Sequence, residues 1–183
     1  ITTAGTQNIA IGHWAGDAID EGDGNIHIGY QAGGAVEAGT SNIAIGGYAG
    51  DAMVDNNYTV FIGVSAGAAN TASNNVGIGH QALLSCVGGI ENTAVGFHAG
   101  DAIDTGGDNT ALGYDALSAV SSNSSNTSIG ASSMNRNTGS HNTAVGHAAL
   151  GGPAGAGGSN TAIGASALTD LTTGTYNVAV GRA

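Results

Sequence analysis

A five-residue phrase organises the whole sequence, reading Asn8-Ile-Ala-Ile-Gly12 near its start and Asn177-Val-Ala-Val-Gly181 near its end. The phrase occurs eleven times, and its closing glycines follow one another at intervals of 16 to 18 residues. A fixed period below about 50 residues is typical of proteins built by stacking one structural unit on the next. The sequence therefore predicts one solenoid of about eleven coils across residues 1–183, with about 17 residues in each coil.

Each repeat, counted from its Asn, carries branched apolar residues or Thr at position 2 and Ile, Val or Leu at position 4. Side chains alternate along a strand, so these two positions share one face of a short β-strand. Copies stacked about 4.8 Å apart would pair in parallel, which predicts an all-β rod (a β-roll) roughly 50 Å long. A second short strand in each coil is predicted from small–apolar pairs, namely Ala18-Ile19, Ala35-Val36, Ala52-Met53, Ala102-Ile103 and Ala119-Val120.

The other face of the first strand consists of Asn, Ala and Gly. We expect this flat face of small residues to pack against another copy of the chain, because small residues let two backbones approach closely. The reverse orientation, with Ala inside the coil and Ile and Val between chains, stays open. The Asn at position 1 is predicted to form a ladder of amides hydrogen-bonded along the axis. Its members are Asn8, Asn25, Asn42, Asn75, Asn92, Asn109, Asn126, Asn142, Asn160 and Asn177.

The composition narrows the range of partners. The formal charge is −11, and Arg136 and Arg182 are the only Lys or Arg residues. Nucleic acids and anionic lipid surfaces are bound through Lys and Arg, so neither is an expected partner. No stretch approaches 18 consecutive apolar residues, and we expect no insertion into a membrane.

Several phrases resemble the head repeats of YadA-like trimeric autotransporter adhesins and, more closely, the repeats of phage tail-fibre proteins. They are Asn92-Thr-Ala-Val-Gly96, Asn160-Thr-Ala-Ile-Gly164, Gly29-Tyr-Gln-Ala-Gly33 and the run from Asn142 to Leu150. The resemblance implies a left-handed parallel β-roll, a homotrimer, and an extracellular rod on a virion or a cell surface. The chain also begins and ends within repeats, so we expect a piece of a longer protein.

Few side chains are spaced as catalytic or metal-binding groups would be, and we expect neither enzyme activity nor a cofactor. The six histidines and Cys86 show no metal-ligand spacing, and Cys86 is predicted to be a buried apolar residue. The acidic turns could offer oxygen ligands to Ca²⁺ only as weak candidates, because their spacing fits no EF-hand. These candidates are Asp20, Asp23, Asp104 and Asp108.

Positions 6 and 7 carry aromatic and amide groups in many coils, which predicts a stripe able to contact a host glycan or a protein receptor. The candidate residues are Trp14, Tyr30, Gln31, Tyr48, Gln81, His98 and Tyr114. A second row consists of Thr at position 2 in five consecutive coils: Thr93, Thr110, Thr127, Thr143 and Thr161. Regular Thr rows occur on some ice-binding solenoids, but this row is expected to be buried, since other coils carry Ile or Val there.

The favoured function is a structural or adhesive rod of a phage tail fibre or cell-surface appendage. The alternatives are a monomeric glycan- or ice-binding solenoid and a filament of segments stacked end to end.

Overall fold

A computed structural model describes residues 5–119, 121–136, 138–153 and 157–183. Each coil contributes one strand of three residues at positions 2 to 4 of the repeat, where the alternating pattern places it. The strands are β1 Ile9–Ile11, β2 Ile26–Ile28, β3 Ile43–Ile45, β4 Val60–Ile62, β5 Val76–Ile78, β6 Thr93–Val95, β7 Thr110–Leu112, β8 Thr127–Ile129, β9 Thr143–Val145, β10 Thr161–Ile163 and β11 Val178–Val180.

The eleven strands of the described residues form one parallel sheet in chain order, so each coil pairs with the coils before and after it. The register is the repeat itself: Ile9 lies opposite Ile26, and Thr93 lies opposite Thr110. The predicted all-β parallel solenoid of about 17 residues per coil is confirmed.

The prediction of a second strand in each coil is wrong for the described residues, which form turns at these positions. The chain bends just before these positions through left-handed backbone conformations, with φ of 58° at Tyr48 and 56° at Gly50. Such dihedrals are incompatible with an extended strand. Ala52-Met53 and Ala102-Ile103 belong to these turns and still send Met53 and Ile103 into the interior. Val120, in the last predicted pair, lies outside the described residues.

The expected orientation of the strands is also wrong: the structure places the central residue, most often Ala, inside the coil and the flanking Ile, Val, Leu and Thr side chains on its outer side. The central residue of each strand from β2 to β10 points into the coil, and Ala44, Phe61 and Ala94 are fully buried. The two flanking side chains point outward, with Ile11 59% and Leu112 46% exposed. Because one coil is thin, its interior accepts Ala in the strand but not two branched side chains.

The large side chain that fills the interior of a coil comes either from the centre of the strand, at position 3, or from the turn, at position 9. Phe61 in β4 lies over Gly67, where an added Cβ would come within 2.5 Å of the ring. One coil later the arrangement reverses, since Gly77 occupies the strand and Leu83 fills the interior from the turn. His27 in β2 repeats the first arrangement over Gly33, with an added Cβ 2.6 Å from the imidazole.

The asparagines at position 1 lie inside the coil and not on an outer contact face. Asn92 is 1% exposed, its Oδ1 accepts the backbone N–H of Asn109 at 3.1 Å, and its Nδ2 donates to the carbonyl of Gly106 at 2.9 Å. The same Oδ1 bond to the first N–H of the next coil, 2.8 to 3.1 Å long, is made by Asn8, Asn25, Asn42, Asn75, Asn92, Asn109, Asn126, Asn142 and Asn160. These bonds tie consecutive coils together where water is excluded.

Candidate functional site

Two outer surfaces of the rod differ in chemistry. The first, called here the sheet face, consists of the outward side chains at the first and third residue of every strand. It is apolar apart from the Thr row, and its side chains are half-buried to exposed, reaching 74% exposure at Val178 and Val180 in the last strand. Ten strand spacings of about 4.8 Å and a width of roughly 10 Å give a patch of roughly 500 Å². This size lies near the upper end for the largest apolar patch of a monomeric protein, about 300–600 Å².

No charged side chain belongs to the sheet face formed by the described strands. All thirteen Asp and Glu residues and both Arg residues lie outside the three-residue strands. The chain therefore combines a strong overall negative charge with one neutral apolar face. Apart from Asp170, the acidic side chains lie in the turns of the first seven coils, so contacts there would bring carboxylates together, whereas the sheet face can be covered without like-charge repulsion.

The Thr row lies on the sheet face, so the expectation that it is buried is wrong. Thr93 and Thr110 are exposed, and Thr127, Thr143 and Thr161 are half-buried. The five residues are in direct register across β6 to β10. Their hydroxyls form a regular outward row beside the Val, Leu and Ile side chains at the third strand position.

The second surface adjoins the sheet face just past the glycine that closes each strand. At the N-terminal end, four rings contact one another from coil to coil: the centroids of Trp14 and Tyr30 are 5.5 Å apart, and those of Tyr30 and Tyr48 are 5.2 Å apart in a T-shaped arrangement. His13 lies 4.1 Å from Trp14. We call these four residues the N-terminal aromatic cluster. Its rings hold one another in place and keep solvent-facing surface, with Trp14 49% exposed.

A groove of about 420 Å³ opens beside the N-terminal aromatic cluster, lined by Trp14, Asp17, Gln31, Gly34, Ala35 and Asp51. We number the coils by their strands, so that coil 1 contains β1. The floor of the groove is low because coil 2 carries Gly34 at the position where coils 1 and 3 carry Asp17 and Asp51. The Asp51 carboxylate leans over that glycine, since an added Cβ on Gly34 would lie 2.9 Å from its Oδ1. Partial burial raises the pKa of Asp51 above its ordinary value.

A central cluster of rings lies farther along the same side of the rod. Phe97 stacks between His80 at 5.1 Å and Tyr114 at 5.5 Å, with nearly parallel planes. His98 Nδ1 lies 3.4 Å from Asp101 Oδ2 and 3.9 Å from Asp115 Oδ1. Burial raises the pKa of Asp101, and the neighbouring His98 opposes that shift. The imidazole nitrogen therefore lies within ion-pair distance of both carboxylates, and Asp101 Oδ1 is buried without a hydrogen-bond partner in the described ranges.

The predicted stripe thus divides into two groups. Trp14, Tyr30, Gln31 and Tyr48 come together at the N-terminal end, whereas Gln81, His98 and Tyr114 belong to the central coils. Coil 4 separates them with Val64 and Ser65 in place of ring-bearing residues. Site prediction from the sequence missed Asp17 and Asp51. The sequence does contain a signal for them. Asp17 and Asp51 each follow an aromatic residue by three positions, in the first and third coils, and the second coil has a glycine at the same position.

Among the calcium candidates, the Asp23 carboxylate is used in the contact between two coils. The Asp23 carboxylate accepts the backbone N–H of Thr6 at 2.5 Å and its hydroxyl at 2.8 Å, and these bonds lower the pKa of Asp23. The backbone carbonyl of Asp104 accepts three N–H groups, from residues 87 to 89. Asp20 and Asp108 lie in the same acidic turns. Within the described ranges, no group of three or more His, Cys, Asp or Glu is placed to hold a metal ion.

Two buried polar groups belong to the interior and to neither surface. Cys86 is fully buried, and burial raises the pKa of its thiol to about 11, so the thiolate nucleophile is suppressed at neutral pH. His27 is fully buried with both ring nitrogens unpaired, and desolvation lowers its pKa to about 4. The sequence did not single out His27, although a His at the strand centre, where most coils have Ala, marks it.

In the part of the chain that the structure describes, no helix is long and apolar enough to cross a bilayer. No protein-family model matches the chain, and no curated protein or solved structure shows significant similarity to it.

Proposed function

We propose that the chain is a non-enzymatic structural rod of an extracellular fibre, in a phage tail fibre or a cell-surface appendage, that supports attachment to a host or another surface. In this proposal copies associate side by side through the sheet face, as a homotrimer of left-handed coils. The observation that carries the proposal is the continuous, uncharged sheet face along the whole rod, which is apolar apart from the Thr row.

The energetics favour covering this face. Burying apolar surface stabilises an assembly by about 25 cal/mol per Å², so a patch of roughly 500 Å² on each copy is a substantial driving force. A second copy is the fitting occupant, because two rods with the same coil spacing can pack their rows of side chains along the full length. The trimer, the handedness and the fibre setting are supported by the resemblance of phrases such as Asn92-Thr-Ala-Val-Gly96 to tail-fibre and YadA-like repeats.

A matched pair of variants tests the association. Leu112 lies on the sheet face and is 46% exposed, whereas Val87 lies in a turn and is 52% exposed. We expect the unmodified chain to scatter light as a particle near three times 17.5 kDa. Leu112→Lys should reduce that mass toward a single chain, because the ammonium would be desolvated at the contact, and Val87→Lys should not. A wild-type monomer, or a Leu112→Lys variant with unchanged mass, would contradict the proposal.

A monomeric ice-binding surface is the second candidate, favoured by the outward position of the Thr row. Five hydroxyls in register on a flat sheet give the regular, weakly polar lattice seen in ice-binding solenoids, an analogy at the level of fold. The test is thermal hysteresis during freezing, measured where light scattering shows a monomer. Hysteresis that Thr127→Leu abolishes would favour this candidate, and its absence would remove it.

A further inference from the structure

We propose that the groove beside the N-terminal aromatic cluster binds a neutral glycan chain. The inference specifies the ligand class for the attachment role and rests on the proposed function for that biological setting. The groove itself is formed by three consecutive coils of one chain, which span about 10 Å. Its volume of about 420 Å³ falls within the range of small-molecule sites, and the groove is open to solvent rather than enclosed.

The chemistry of the lining fits a sugar. The exposed Trp14 ring offers a flat apolar surface to the carbon–hydrogen face of a pyranose, and its contact with Tyr30 fixes the orientation of the ring. Around this platform, Asp17 and Asp51 present carboxylate acceptors, and Gln31 presents both an acceptor and a donor. Hydroxyl groups donate strongly to carboxylates, so a ligand rich in vicinal hydroxyls satisfies both kinds of lining.

The charge of the groove favours a neutral glycan over an acidic one. The groove lining contains two carboxylates and no Lys or Arg, and Arg136 and Arg182 belong to coils 8 and 11. In the described residues the ion pairs are those of His98, so no cationic side chain neutralises Asp17 or Asp51. A uronic acid, sialic acid or phosphate would meet this negative field without a counter-charge.

The central cluster does not offer the same site. Coil 5 places Leu84 at the position where Gly34 leaves the floor open, and Asp101 and Asp115 face the His98 imidazole. Both clusters therefore have exposed rings. They differ because the N-terminal aromatic cluster lies beside a groove whose carboxylates, Asp17 and Asp51, have no cationic partner among the described residues. This contrast provides an internal control for the experiment.

Trp14 is the single tryptophan of the chain, so intrinsic fluorescence reports directly on the groove. The probes are cellohexaose, maltohexaose and chitohexaose, with oligogalacturonate as the acidic comparison. We expect a saturable change in Trp14 emission with at least one neutral hexasaccharide and a much weaker response to oligogalacturonate. The proposal is overturned if none of the three neutral probes gives a saturable change, or if the acidic probe binds as tightly.

Substitutions in equivalent positions localise the binding. Gln31 and Gln81 occupy position 7 of their coils with φ of 51° and 55°, so replacing either by Ala carries a similar backbone cost. Gln31→Ala should weaken binding about fivefold, and Asp51→Asn about tenfold, in line with one neutral and one charge-assisted hydrogen bond. Gln81→Ala should leave the affinity unchanged. Equal losses in Gln31→Ala and Gln81→Ala would overturn the assignment to this groove.

Light scattering on the same samples separates the two proposals. A trimer whose Trp14 does not respond to neutral sugars would retain the structural rod and reject the glycan groove. A monomer that binds them would retain the groove and reject the assembly.

Discussion

The inward and outward positions of the same strands differ in how strictly their residue types are repeated from coil to coil. The inward positions are Asn at position 1, a mostly small residue at position 3 and Gly at position 5, and nearly every coil repeats this set. The outer side holds the largest share of branched apolar residues and exchanges Ile, Val, Leu and Thr freely. The difference shows that in a coil this thin the strictest positions mark the interior, because space there is limiting. The most hydrophobic positions instead mark a surface available for association.

The largest effect is expected on the inner side at the stacked glycines. Gly96 has φ of +140°, and an added Cβ would lie 2.4 Å from the backbone oxygen of Gly113 in the next coil. Gly96→Ala therefore combines backbone strain with a clash that only separation of the coils can relieve, and it should cost more than about 4 kcal/mol. Urea unfolding followed by circular dichroism measures the loss. Gly88→Ala is the control, because its nearest neighbour is a Thr105 methyl at 3.5 Å. Similar stability of the two variants would contradict the tight stacking.

The next effect concerns the Asn ladder. Asn92→Ala removes the acceptor for the Asn109 N–H and the donor to the Gly106 carbonyl, both in the interior. Leaving buried polar groups unpaired should lower the free energy of unfolding by about 3 kcal/mol. Chemical denaturation at neutral pH provides the measurement. A cost below about 1 kcal/mol would mean that water reaches the ladder.

A pH-dependent effect should arise from the unpaired His27. Its folded pKa of about 4 lies below the ordinary value of 6.5, since burial favours the neutral ring. The unfolded chain therefore binds the proton first, and stability is full above pH 6.5 and falls as the pH drops toward 4. The shift corresponds to about 3 kcal/mol.

The matched variant for this effect is His27→Phe. Phe61 already occupies the equivalent position over Gly67, as His27 does over Gly33, so the ring should fit. Unfolding at pH 7 and pH 4 should show a smaller acid loss in His27→Phe than in the unmodified chain. The same acid loss in both proteins would rule out His27 as the group responsible.

The smallest effect is expected on the outer side. Thr110 is exposed and points away from the interior, so Thr110→Val should change the unfolding free energy by less than about 0.5 kcal/mol. Thermal melting of dilute samples tests this expectation. A loss above about 1 kcal/mol would show that the hydroxyl is buried and bonded, which would reverse the assignment of the two sides.

Most of the fold could be predicted from the period of the repeat. The spacing of the glycines predicted the parallel stack, and the alternation at positions 2 and 4 located the strands that run from β1 to β11. Alternation states only that two residues share a face, not which face is inside. Hydrophobicity suggested the wrong answer, because the two branched residues per strand exceed the space inside one coil. Ala also occupies position 8 of nearly every coil, as at the buried Ala49 and Ala99, and this constancy was the better signal of a tight interior.

The turns and the groove were less accessible to sequence reasoning. Met53 and Ile103 alternate with small residues as strand residues do, but left-handed residues such as Tyr48 bend the chain before them. The groove depends on Gly34 lying between Asp17 and Asp51 in successive coils. That relation becomes visible only when the coils are aligned in three dimensions.

The most direct test of lateral association is small-angle X-ray scattering of the unmodified chain, read as rod length and mass per unit length. Association through the sheet face predicts a rod of about 50 Å whose mass per length is about three times that of one chain. The mass per length of a single chain would contradict it, whether the particle is one chain long or an end-to-end filament.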